Sequence, residues 1–271
     1  RESGKDELEQ DLDGSCSWLM AMAEMDSKQR ATWEAIYDKK NEEFLKNPPV
    51  GKDLLRWKYQ RYVKEYCRTI RSVDEQVGRL LDDLEEKGVL DNTVIVYTSD
   101  QGFLLGEHGL YDKRFMYEES FRTPLIISCP SLVKKHSVCK ELVQNIDLAP
   151  TFLSLAGVEV PKEMSGRSLL PLFKNGKAEN WRNELYYHFY DYPAVGSVRK
   201  HDGIRTKRYK LIHWYGEGSG NDEAIDFWEL YDLKKDVMEV NNVYDNPKYV
   251  KVREALTVQL EKLRKDVGVT E

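Results

Sequence analysis

Long apolar runs, an excess of positive charge and patterned cysteines are all missing from this chain. Its longest apolar stretches are a few residues, as in Pro124-Leu-Ile-Ile, far short of the ~20 residues that a membrane-crossing helix needs. No membrane span is expected. Lys and Arg number 41 against 47 Asp and Glu, for a net charge of -6. The basic surplus that neutralises phosphates is absent, and no nucleic-acid partner is expected. Cys16, Cys67, Cys129 and Cys139 form neither a CxxC nor a zinc spacing. That leaves free thiols or, in an exported protein, a single disulfide such as Cys129 with Cys139. The opening Arg1-Glu-Ser-Gly-Lys-Asp-Glu has no apolar core of a secretory signal, a pattern that a mature or truncated protein shares.

What is present is a globular pattern. With 271 residues, 41% of them hydrophobic, the chain can bury a real core. Its apolar residues recur regularly among the charges, which argues against disorder. Residues 1–46 read as a polar segment of short helices and loops, with Trp18-Leu-Met-Ala-Met-Ala-Glu-Met as an apolar island, up to the break at Asn47-Pro-Pro. From Asp53 the helical period is clear. Leu55, Tyr59, Tyr62, Tyr66, Ile70, Val73, Val77, Leu80, Leu81 and Leu84 fall at three- and four-residue steps, and Gly88 stands where a helix stops.

Thr93-Val-Ile-Val-Tyr-Thr is β-branched and apolar on both faces, which suits a central parallel strand covered by helices. A second buried strand is expected at Pro124-Leu-Ile-Ile-Ser-Cys, and a short helix from Asp147, as N-cap, to the stop at Gly157. Residues 47–174 therefore read as part of an α/β layered domain, a mixed and largely parallel sheet sandwiched by helices. Residues 175–271 change character. Short aromatic stretches such as Glu184-Leu-Tyr-Tyr-His-Phe-Tyr and Tyr209-Lys-Leu-Ile-His-Trp, with an amphipathic run from Val250 to Val267, predict a small antiparallel sheet with a C-terminal helix.

The residues with chemistry cluster after the first strand. Asp100-Gln101-Gly102 stands at the carboxyl end of a strand, where ligands gather in open α/β sheets. Both side chains offer the oxygen donors that a hard cation takes, although Asp-Gln-Gly at a strand end is also an ordinary capped turn. Leu105-Gly-Glu-His-Gly-Leu-Tyr-Asp-Lys then places two glycines, His108 and Lys113 in one loop. Glycine permits close backbone approach, and the compact lysine charge suits an oxyanion.

This order of motifs resembles the sulfatase family: Thr-Ser-Asp-Gln-Gly, Gly-Glu-His-Gly, a Lys before Tyr-Glu and Arg-x-Pro-Leu. Asn145-Ile-Asp-Leu-Ala-Pro-Thr, Ser165-Gly-Arg-Ser-Leu-Leu-Pro-Leu, Ile204-Arg-Thr-Lys-Arg-Tyr-Lys-Leu-Ile and Glu229-Leu-Tyr-Asp-Leu continue it. The likeness covers roughly residues 50 to 265 and is nearest to bacterial N-acetylglucosamine-6-sulfatase-like enzymes. It implies Asp100 and Gln101 as calcium ligands, Lys113 on the sulfate oxygens and His108 at or behind them. Many members carry Asn where this chain has Gln101.

The resemblance also implies a sulfated carbohydrate substrate, hydrolysis of its sulfate ester, and a periplasmic or secreted location. His188, His201 and Arg205 lie where such enzymes face the sugar; the alternative is that this aromatic-rich region simply packs the small sheet. His213 reads as structural, His136 as exposed, and Arg122 as fixing its loop.

One family feature is absent. No cysteine here stands in C-x-P-x-R, the site of the formylglycine nucleophile; Cys129-Pro-Ser-Leu-Val has its proline one place early and no arginine. The upstream Asp-Asp metal pair is missing too. The chain reads as the C-terminal half of such an enzyme, inactive alone, with an associated N-terminal fragment or self-association expected. Two other readings stay open: a phosphonate or phosphate ester hydrolase of the same superfamily, and a non-enzymatic binding module.

Overall fold

The structure, a computed structural model, describes residues 23–193, 197–218 and 223–269. The chain divides into two compact units, Arg1–Lys87 with Leu104–Tyr111, and Gly88–Phe103 with Asp112–Glu271.

In the first unit, α1 (Ser27–Lys46) and α2 (Lys52–Glu86) pack by aromatic contact. Phe44 stacks on Trp57 at 4.1 Å, and the Tyr37 hydroxyl meets Glu65. The polar segment expected to hold short helices and loops is, where described, the single 20-residue helix α1. Its start signal is a capping box: Asp26 accepts from Gln29 N at 2.8 Å while the Gln29 side chain accepts from Asp26 N at 3.0 Å. Residues 1–22, including most of the apolar island, lie outside the described residues. Helix α2 follows its predicted period and ends before Gly88, whose φ of 66° supplies the left-handed stop.

The second unit holds β1 (Ile95–Thr98), α3 (Glu118–Phe121), β2 (Leu125–Ser128), α4 (Leu148–Leu155), α5 (Leu170–Phe173), β3 (Glu184–Phe189), β4 (His201–Thr206), β5 (Tyr209–Gly216), β6 (Ile225–Asp232) and α6 (Val250–Asp266). The layered α/β architecture is present, but β1 and β2 pair antiparallel, with Ile95 opposite Ser128 and Thr98 opposite Leu125. A parallel partner usually returns through a helix laid on the sheet. The link from β1 to β2 instead carries two-residue strands at Leu104–Leu105 and Tyr111–Asp112, the turn Glu107–Gly109, the Lys113 loop and the single turn α3, with no helix long enough to cover the sheet, and the chain re-enters from the opposite end. Burial along β2 alternates, with Ile126 62% exposed, so the strand is covered on one side and not on both. Leu125 and Ile127 pack instead onto Leu169, Leu172 and Phe173.

Strands β3–β6 form the expected antiparallel sheet in sequence order. Side-chain alternation gives it two working faces. On one, Ile204, Leu211 and Leu230 pack against Leu256 and Leu260 of α6. On the other, Trp214 and Tyr231 meet Phe115 and Tyr117, just past Lys113. Gly203 is required there, because a Cβ would stand 2.6 Å from Met116 Sδ and 2.4 Å from Leu211 O. The small sheet is thus the floor on which the loop after Lys113 rests. Cys67, Cys129 and Cys139 are free thiols, so Cys129 and Cys139 are not bridged.

Candidate active site

The turn carrying Asp100 and Gln101 begins where β1 ends, and three contacts fix it. The Ser99 hydroxyl donates to Gln101 O at 2.8 Å. Asn145 Nδ2 donates to Asp100 O at 2.7 Å. Gly102 N donates to Ser120 O at 2.8 Å, and a Cβ on Gly102 would lie 2.0 Å from Glu119 O, so this crossing admits only glycine. The turn is therefore pinned from both neighbouring segments while Asp100 stays exposed.

Lys113 sits between two non-glycine residues in the left-handed region, Asp112 at φ 76° and Arg114 at φ 87°. Such conformations cost about 1–3 kcal/mol each and persist only where surrounding contacts over-determine them. Here Arg114 pairs with Asp112 at 2.5 Å, and the Tyr187 hydroxyl donates to Arg114 O at 2.6 Å. Burial pushes the Tyr187 phenol up to about 12, so it remains a donor at any working pH.

Beneath α3 lies a buried ionic cluster. The fully buried Lys210 ammonium contacts Glu239 at 2.7 Å, Glu118 at 2.9 Å and Met116 O at 2.7 Å. Glu239 in turn accepts from Glu118 N at 2.7 Å, and Arg205 closes on Glu118 at 3.3 Å. Burial alone would raise the Glu118 carboxyl, but Lys210 and Arg205 outweigh it and hold it below the usual carboxylate range. Burial pushes Glu239 up, with Lys210 offsetting part of the rise.

Asp100, Gln101, Lys113 and Arg205 line one open cleft of about 990 Å³ in the second unit. Arg114, Arg122 and Asn145 line it too. Arg122 anchors its loop through a backbone bond to Glu118 O at 2.8 Å, while its exposed side chain borders the cleft. His108 belongs to the first unit. It holds a φ of 56° in a turn between Gly106 and Gly109, at φ 118° and 70°, and Glu107 braces that turn by accepting from Leu105 N at 2.6 Å.

The other two histidines expected at the site, His188 and His201, are not among the cleft-lining residues. His188 bonds Tyr215 at 2.5 Å on the sheet face that carries α6. His201 is fully buried and stacked on Trp214 at 4.2 Å, with Nδ1–H donating to Arg199 O at 2.8 Å. Burial lowers its pKa to about 4. Its ring belongs to the packed aromatic layer of the small sheet.

The donor set fits a hard cation in kind and not in number. No lysine or arginine neutralises the exposed Asp100 carboxylate among the described residues, and Gln101 adds an amide oxygen on the same turn. Calcium takes six to eight oxygens, and the described residues contain no cluster of three or more His, Cys, Asp or Glu able to hold a metal. For such an ion Asp100 and Gln101 alone would be a partial set.

Sequence reasoning missed the supports. Asn145 stood in a quoted motif without a role, and Asp147 beside it was expected to cap α4. It stands at the N-cap position, but its side chain makes no bond to α4 and accepts from Gln144 N at 2.8 Å in the turn before it. The buried carboxylate also accepts from Arg167 N at 2.8 Å and from both arms of Arg182. Tyr187 and Lys210 carried no local signal, since each looks like an ordinary strand residue.

Residues 106–266 match the family model for N-sulphoglucosamine sulphohydrolase, C-terminal, and residues 20–158 match the sulfatase model. The N-acetylglucosamine-6-O-sulfatase of Bacteroides thetaiotaomicron is 49% identical over 243 residues, which are 89% of this chain and 42% of that protein. The solved structure of BT4656 in complex with its substrate D-glucosamine-2-N,6-O-disulfate superposes with a TM-score of 0.84 at 46% identity, covering 95% of this chain and 51% of that one. The phosphonate monoester hydrolase of Agrobacterium radiobacter is more distant, at TM-score 0.60 and 27% identity over 72% of this chain and 40% of that one. The chain spans about half the length of these proteins or less.

Proposed function

The chain belongs to the sulfatase family, and from that premise we propose that it supplies part of the active site of an enzyme hydrolysing sulfate esters on sulfated glucosamine. The observation that carries this reading is the meeting of Asp100, Gln101 and Lys113 on one cleft. The substrate class follows the name of the Bacteroides thetaiotaomicron relative and the sugar held by BT4656.

Asp100 and Gln101 would hold calcium, with further oxygen ligands from outside this pair. When bound, the ion polarises the sulfate ester as a Lewis acid. Lys113, fixed in its strained turn, places an ammonium against the charge that builds on sulfate oxygens as the S–O bond to the sugar breaks. Arg205, whose partner Glu118 also borders the cleft, is assigned to orienting the sugar. His108 is carried as a charge-stabilising side chain on the family resemblance alone. No nucleophile is assigned, because no cysteine of the chain stands in C-x-P-x-R. The 271-residue chain is therefore expected to be inactive by itself, with an N-terminal fragment or a second copy as its partner. Export to the periplasm or beyond belongs to the same reading; no helix among the described residues is long and apolar enough to cross a membrane.

The test is sulfate release from glucosamine 6-sulfate by the full-length enzyme, with and without a calcium chelator. Loss of activity on chelation and its restoration by calcium, with Asp100→Ala needing more calcium for any recovery, supports the proposal. Faster turnover of a phosphonate monoester than of any sugar sulfate, or robust aryl-sulfate hydrolysis by the 271-residue chain alone, would overturn it.

A further inference from the structure

We propose that Tyr187 and Lys210 are positioning residues for Lys113, two clamps from the small sheet that hold its strained turn in the conformation that meets sulfate. This inference rests on the sulfatase reading of Lys113 and adds the residues that make its placement possible.

The argument begins with the backbone. Asp112 and Arg114 both sit at positive φ, so the turn between them relaxes unless its ends are held. Two donors hold it, one close behind the turn and one two residues further on. Tyr187 of β3 donates to Arg114 O at 2.6 Å, and Lys210 of β5 donates to Met116 O at 2.7 Å. Both side chains lie on the sheet face that meets the Lys113 loop; Tyr187 also lines the cleft with its hydroxyl on Arg114 O, and Lys210 does not line it. Tyr187 is packed by Phe121 at 5.4 Å and His201 at 5.6 Å, which leaves its hydroxyl little freedom. Lys210 is fully buried, and its charge is met by Glu239 and Glu118. Glu239 also accepts from Glu118 N, so the cluster grips the chain at Met116 and at Glu118.

A buried ammonium costs several kcal/mol to desolvate, and an apolar side chain in its place would pack the same volume. Only a donor can hold the Met116 carbonyl. The cluster also joins the cleft directly, because Arg205 pairs with Glu118 and both line it. The small sheet thereby sets the geometry of a lysine that none of its strands carries.

The experiment is a double-mutant cycle in the full-length enzyme, reading kcat/KM on glucosamine 6-sulfate and inhibition by inorganic sulfate. Tyr187→Phe keeps the ring and removes only the hydroxyl. In the wild-type background it is expected to lower kcat/KM about tenfold and to weaken sulfate inhibition by a similar factor, the scale of one lost hydrogen bond. In a Lys113→Ala background it is expected to change neither. Equal losses in both backgrounds, or no loss in the wild type, would overturn the proposal. Lys210→Met should behave alike; if that variant fails to fold, Tyr187→Phe decides. A Lys113→Ala enzyme with full activity and unchanged sulfate inhibition is a separate result, which sinks the sulfatase reading of Lys113 and this inference with it.

Discussion

Asn145 Nδ2 lies 2.7 Å from the backbone oxygen of Asp100, across 45 residues of sequence, and this one bond ties the start of α4's approach to the turn that offers Asp100 and Gln101. Because Asn145 is exposed, truncating it leaves no buried group unsatisfied and should shift stability by less than ~1 kcal/mol. Its effect should fall on the turn. Supporting contacts behind metal ligands typically carry about 10–100-fold in metal affinity. Asn145→Ala is expected to weaken calcium activation by that factor at nearly unchanged melting temperature. A large stability loss with an unchanged calcium titration would make Asn145 a fold residue.

Asp100 and Lys113 are predicted to fail differently. An Asp100→Ala enzyme has lost an oxygen donor, and excess calcium should recover part of its activity. Lys113→Ala removes a charge that calcium cannot replace, and a drop of about a hundredfold or more in kcat is expected at any calcium concentration. Lys113→Arg should not restore it, because a planar guanidinium does not reproduce a compact point charge in a fixed turn. Calcium titrations of the three variants distinguish these outcomes. Recovery of Lys113→Ala by calcium would remove the distinction of roles.

Periodicity made α2, α4 and α6 legible, and the glycine stops at Gly88 and Gly157 fell where left-handed residues end those helices. The extent of helix α1 was not legible, because its apolar residues Trp33, Ile36, Tyr37, Phe44 and Leu45 are sparse among charges and leave a gap of more than a turn between Tyr37 and Phe44; its clearest local signal was Asp26 three places before Gln29. The pairing sense of β1 and β2 was hidden for a different reason. An apolar strand reads the same in either direction, and what decides is whether the link between two strands folds into a covering helix. Motif order singled out Asp100, Gln101 and Lys113, and the fold brings the three to one cleft. His201 was misplaced by its type: a histidine beside aromatics serves a sugar or a core equally well, and only burial separates the two. The Lys210 cluster was invisible, since its partners Met116, Glu118 and Glu239 lie 94, 92 and 29 positions away.

Asp147 and Arg182 are a stability prediction. The carboxylate is fully buried, the guanidinium is 8% exposed, and the pair is bidentate. Removing one partner strands the other, at about 3–5 kcal/mol. Arg182→Ala should lower the urea midpoint accordingly without a change in slope. Asp147→Asn in the same chain should recover part of the loss, because the stranded charge is then gone while the amide oxygen still accepts from Arg167 N. No recovery in the double variant would mean that Arg182 acts through packing on Trp181, whose ring it covers at 5.1 Å.

His201 gives the acid limb of stability a specific origin. Burial lowers its pKa from 6.5 to about 4 in the fold, so the folded state favours the neutral ring. That preference is fully present above pH 6.5. As pH falls from 6.5 towards 4, the unfolded chain takes up a proton that the folded ring refuses, and stability is lost progressively, by roughly 3 kcal/mol once both forms are protonated. Protonation also brings charge against Trp214 in a layer with no carboxylate bonded to the ring, since the Nδ1 proton already serves Arg199 O. His201→Gln removes the titration and can keep the bond to that carbonyl. Its melting temperature should therefore sit below wild type at pH 7.5 and approach it at pH 4.5, with a shallower slope between. Parallel pH profiles for the two proteins would assign the acid limb to carboxylates such as Asp232, which Arg208 holds below the ordinary range, and would remove His201 from the account.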